Sequence, residues 1–74
     1  MNANHAETWI KIGLNITYYR RKKGLTQAAL AEACNISRNY MQTIERGHPA
    51  AVNVLIDVAE TLEIPLMKLF EFRD

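Results

Sequence analysis

The apolar positions of this chain fall into helical arcs separated by short polar turns. From Ala6 to Lys23, residues Trp9, Ile12, Gly13, Ile16, Tyr19 and Arg20 lie within one arc when successive residues are rotated by a helical step. That spacing predicts a first helix with one inward face. A second stripe, Ile10, Leu14 and Tyr18, recurs every four residues well off the first. One core cannot easily cover both, so the stripe either packs under the C-terminal tail, stays partly exposed or faces a partner. Gly24 ends the helix in the manner of a C-terminal glycine. Met1 to His5 carries no periodic signal, and a flexible arm is expected there.

Two short helices come next. Thr26 and Ser37 are hydroxyl residues suited to accept from the free N–H groups at a helix start. Behind Thr26, Leu30 and Ala31 point inward; behind Ser37, Met41 and Ile44 share a face three residues apart. Between them lies Ala33-Cys34-Asn35-Ile36, where Asn35 can take the left-handed backbone that a sharp turn requires. A further helix runs from Ala50 to about Glu63, with Ala51, Leu55, Val58, Ala59 and Leu62 inward and Val52 and Ile56 beside them. Its stop rests on the restriction that Pro65 imposes on Ile64. Pro65 then suits the first position of a short last helix, Pro65 to Phe70. The expected fold is all-α, five helices forming one domain over residues 6–74.

Helices joined by so short a turn must cross steeply, which is the layout of a helix-turn-helix whose second helix is free to enter a DNA major groove. The side of that helix away from Met41 and Ile44 presents Arg38, Asn39, Gln42 and Thr43. Arginine can form paired bonds to guanine, asparagine and glutamine to adenine, and the threonine methyl can meet that of thymine. Gln42 reads a base edge or meets the DNA backbone. Tyr40 can pack its ring at the helix edge while its hydroxyl reaches a phosphate. Arg46 and His48, either side of Gly47, are candidates for backbone contact.

The ordered set Gly24-Leu25-Thr26-Gln27, Leu30-Ala31, Ile36-Ser37 and Ile44-Glu45-Arg46-Gly47 resembles the Cro/C1-type helix-turn-helix (XRE) family of bacterial and phage regulators. Ile12, Ile16 and Arg20 upstream, and Leu55, Val58, Ala59 and Leu69-Phe70 downstream, extend the resemblance to roughly residues 9–70. It implies a compact five-helix, lambda-repressor-like domain that binds double-stranded DNA. It also implies that Arg20 pairs with Glu45, clamping the first helix to the recognition helix, and that Gln27 touches a phosphate. Arg38, Asn39 and Thr43 match the family's base-reading positions most closely. The segment after Gly47 is one residue shorter than the usual pattern, and Glu63 stands where many relatives have glycine.

Composition narrows the alternatives. Seventy-four residues make a small core, yet 49% of them are apolar, which leaves apolar surface for a partner. The surplus gathers at Val52, Ile56, Leu66, Leu69, Phe70 and Phe72, a candidate homodimer interface in keeping with the family's habit of pairing near its C-terminus. An antitoxin-like protein partner on the same surface is the alternative. The net charge of +1 conceals an asymmetry, +4 over residues 1–49 and −3 over residues 50–74, and phosphate binding depends on where the positive charge lies. His5, His48 and the single Cys34 lack metal-ligand spacing, and Ser37 and Asp57 lack a nearby histidine, so neither enzyme chemistry nor a cofactor is expected. Cys34 is expected in the core. With no apolar run of membrane-spanning length and no leader pattern, the chain reads as a soluble cytoplasmic protein. Read as a whole protein without a sensor module, it would be controlled by its own concentration, as a Cro-like repressor or a restriction-modification controller is.

Overall fold

The computed structural model describes residues 4–72. Four α-helices, α1 (Asn4–Lys23), α2 (Gln27–Ala33), α3 (Arg38–Glu45) and α4 (Val52–Leu62), are followed by a 3-10 helix, Leu66–Phe70. The all-α expectation holds, with the fifth element a tighter 3-10 helix. Pro65 stands before it in extended conformation rather than inside it. α1 begins at Asn4, so Asn4 and His5 are helical and not part of an arm; the remainder of the expected arm, 1–3, lies outside the described residues, as do 73–74.

The inward arcs meet in one cluster: Ile12 and Ile16 from α1, Leu30 and Ala31 from α2, Met41 and Ile44 from α3, and Leu55, Val58, Ala59 and Leu62 from α4. Cys34 joins it from the turn, as expected, its Sγ 3.8 Å from Thr61 Oγ1. Burial pushes the Cys34 thiol up, opposed by the hydrogen bond with Thr61 and reinforced by the charge of Asp57. A thiol so placed is a poor nucleophile. Ala51 is a correction: it is the exposed N-cap of α4, not part of the inward stripe.

All four α-helices end the same way. A residue with positive φ, namely Gly24, Asn35, Gly47 or Glu63, bonds its N–H to the carbonyl three residues back, and the next N–H reaches five back. The longer bonds are Leu25 to Arg20, Ile36 to Ala31, His48 to Thr43 and Ile64 to Ala59, at 3.0–3.1 Å. This double closure satisfies carbonyls that would otherwise be orphaned. The glycine at 47 is required twice over, because φ is 111° and a β-carbon there would sit 2.7 Å from Ile10 Cγ1.

The last element corrects the interface list. A 3-10 helix repeats every three residues, so Leu66 and Leu69 turn to the core while Met67 and Phe70 turn out. Leu69 is 0% exposed and belongs to the core, whereas Met67 is 63% exposed. Asn15, buried on α1, donates from Nδ2 to the Leu69 carbonyl at 2.9 Å and the Glu71 carbonyl at 3.1 Å. That bond fastens the C-terminal segment across 54 residues of sequence. Phe72 is half-buried against the core, with Lys11 Nζ 5.6 Å from its ring centroid. The Ile10, Leu14 and Tyr18 stripe is exposed along α1.

Candidate nucleic-acid interface

Local chemistry starts each helix of the motif. Thr26 is extended and its side chain accepts from Ala29 N at 3.0 Å; Ser37, also extended, accepts from Tyr40 N at 3.0 Å. Between these caps Asn35 holds φ 60°, the left-handed conformation its short amide side chain tolerates. Met41 and Ile44 then plug α3 into the core at 0% and 1% exposure, so its opposite side must face outward.

Three features lock α3 against α1 and α2. The first is the Arg20–Glu45 pair, both members buried: Nε donates to Oε2 at 2.7 Å and Nη2 to Oε1 at 3.1 Å. Arg20 Nη1 also donates to the Leu25 carbonyl at 2.8 Å, which holds the α1–α2 turn in the same network. Secondly, Gln27 Nε2 donates to Glu45 Oε1 at 3.0 Å, and the Thr17 hydroxyl lies 2.9 Å from that oxygen and 3.0 Å from the Gly13 carbonyl. Oε1 therefore meets three donors, and the single Thr17 proton divides between two acceptors. The third is close approach at Gly13, where a β-carbon would fall 2.6 Å from the Glu45 carbonyl oxygen.

Burial alone would raise the Glu45 carboxyl. Hydrogen bonds from Arg20, Gln27 and Thr17, with the positive charge of Arg20, more than reverse this and hold it below the ordinary carboxylate value. Arg20 is thus neutralised within the fold. No buried side-chain nitrogen or oxygen among the described residues lacks a partner.

The structure brings Arg38, Asn39 and Tyr40 together as an exposed first turn of α3. Gln42 and Thr43 are half-buried one turn on, and the Thr43 hydroxyl donates to the Tyr40 carbonyl at 2.7 Å. Thr43 therefore offers a partner its methyl and a lone pair, not its proton. Gln27 is half-buried and its amide already serves Glu45. Arg46 and His48 are exposed in the turn after α3. Of the candidate interface residues, Val52, Ile56 and Phe70 are exposed at 66%, 39% and 44%, Leu66 and Phe72 are half-buried, and Leu69 is withdrawn. Sequence reasoning missed the contributions of Thr17 and Asn15. A polar residue flanked by core isoleucines, as Asn15 is by Ile12 and Ile16, was the available signal. Among the described residues no cluster of three or more His, Cys, Asp or Glu could hold a metal, and no helix is long and apolar enough to cross a membrane.

Comparison with known proteins agrees with this geometry. A helix-turn-helix family model matches residues 16–69. The HTH-type transcriptional regulator SlrR of Bacillus subtilis is 40% identical over 63 residues, covering 81% of this chain and 41% of SlrR. The chain thus spans less than half the length of that relative. Among solved structures, the restriction-modification controller protein C.AhdI from Aeromonas hydrophila superposes with a TM-score of 0.86 at 29% identity, covering 90% of this chain and 99% of that one. The biofilm regulator SinR, solved in complex with DNA, gives 0.76 at 29% identity, with 81% and 98% covered. The chain belongs to the Cro/C1-type helix-turn-helix family of transcriptional regulators.

Proposed function

We infer that this protein is a sequence-specific regulator that binds a palindromic operator as a homodimer, each protomer laying α3 in a major groove. The observation that carries this reading is the exposed first turn of α3, with Arg38 and Asn39 side by side on a helix fixed from behind by Met41, Ile44 and the Arg20–Glu45 pair. Residues that read bases must be positioned before the ligand arrives, and that clamp positions them. Thr43 contributes its methyl, and Gln42 reads a base edge or meets the backbone. Gln27 has two amide protons, so it can hold Glu45 with one and a phosphate oxygen with the other. Tyr40, Arg46 and His48, all exposed, make further backbone contact.

Dimerisation uses Val52 and Ile56 of α4 with Met67 and Phe70 of the 3-10 helix, two elements that pack on one another. A two-fold dimer presents two copies of α3 to successive turns of one DNA face, so half-sites lie about 34–36 Å apart. Selection from a random duplex library tests this reading. The expected product is a palindromic consensus, with Phe70→Glu shifting sedimentation toward the monomer and weakening operator binding. A library that yields no consensus, or a Phe70→Glu protein that sediments unchanged, contradicts the corresponding half of the proposal.

A further inference from the structure

We propose that the DNA-backbone contact extends beyond the two motif helices onto the last turns of α1, with Arg21 as its central phosphate-binding residue. This rests on the DNA-binding reading above and adds to it a contact outside the motif.

Four consecutive cations end α1, and the fold treats them differently. Arg20 is buried against Glu45, and Lys23 Nζ pairs with Glu63 Oε1 at 2.6 Å. Arg21 and Lys22 are exposed and make no ion pair among the described residues. Arg21 lines two open depressions at once. One it shares with Thr26, Gln27 and Arg38, at the starts of α2 and α3; the other it shares with Thr17, Tyr18 and Lys22 on α1 itself. No carboxylate lines either depression. Lys22 Nζ stands 5.8 Å from the Tyr18 ring centroid, which holds its charge beside the second depression.

The two depressions have Arg21 in common, so a line of cations runs from Arg38, the first residue of the reading helix, through Arg21 to Lys22 on α1. Its charge complements a polyanion, and its end at Arg38 places it beside the duplex whose bases α3 would read. A guanidinium suits the task because its planar fork can grip two phosphate oxygens together. Such a contact carries no base information, so its signature is loss of affinity on every sequence, with fewer counterions released.

The test measures binding of wild type, Arg21→Ala, Arg21→Gln and Lys23→Ala to the selected operator and to a random duplex across salt concentrations. Both Arg21 variants are expected to weaken the two duplexes alike and to flatten the log–log salt slope by about 0.9 per protomer. The wild-type advantage then shrinks by about 3.5-fold per protomer between 50 and 200 mM salt. Lys23→Ala, whose charge is paired in the folded chain, keeps the wild-type slope. An unchanged slope in the Arg21 variants overturns the proposal, as does equal flattening by Lys23→Ala, which would reveal a net-charge effect only. So does an altered base preference in either Arg21 variant. If wild type selects an operator and the Arg21 variants match it, the α1 contact alone fails; if wild type shows no salt-dependent binding to any duplex, the DNA reading fails with it.

Discussion

At the scale of single residues, Glu45 joins the fold to the reading surface. Its carboxylate accepts from Arg20, Thr17 and Gln27, which come from the two helices preceding α3. Because its folded value lies below the ordinary one, this group stabilises the folded state fully above the unfolded carboxylate value of about 4.3, and the contribution is lost as pH falls through the folded value. Glu45→Ala is expected to cost about 3–5 kcal/mol near neutral pH, since it leaves Arg20 buried and unpaired. The gap between variant and wild type should narrow in acid below about pH 4. Urea unfolding across pH measures both effects, and a gap that stayed constant down to pH 2 would refute the assignment. Arg20 was legible from the sequence because a charge on an inward arc demands a partner, and the family resemblance implied Glu45 as that partner. Gln27 was legible only as a helix start, and its bond to Glu45 depends on a crossing angle that no local pattern specifies.

At the scale of elements, helix ends decide where α3 points. Gly24, Asn35 and Gly47 announce their left-handed turns by residue type, and each stands where the sequence placed it. Glu63 does not, because glutamate has no preference for positive φ. Pro65 keeps Ile64 out of the helical region, so the reversal falls one residue earlier, on Glu63 at φ 60°. Glycine there would adopt the same backbone without strain. Glu63→Gly is therefore expected to raise the thermal midpoint by a few degrees, despite losing the exposed pair with Lys23, which is worth little in solvent. Calorimetry measures this, and a lower midpoint would mean that the Lys23 contact outweighs the strain. The 3-10 helix was the least legible element. Counting at 3.6 residues per turn groups Leu66, Leu69 and Phe70 on one face, whereas the three-residue repeat buries Leu69 and exposes Met67 and Phe70.

At the scale of the whole molecule, residues 1–49 are basic and residues 50–74 are acidic. The charge of +4 over residues 1–49 includes Arg20, cancelled by Glu45, so Arg21, Lys22, Arg38 and Arg46 are the cations left around the motif. The exposed apolar residues of α4 and the 3-10 helix lie in the acidic part of the chain. Such a division suits a dimer that offers DNA two copies of one basic face. The central claim is that the exposed turn of α3 reads bases. It is tested most directly by measuring wild type and Asn39→Ala against every single-base variant of the selected operator. The account predicts a loss of about 1–3 kcal/mol on the best operator, with discrimination erased at one base pair in each half-site and preserved elsewhere. Uniform weakening on all variants, with the preference intact at every position, would contradict it.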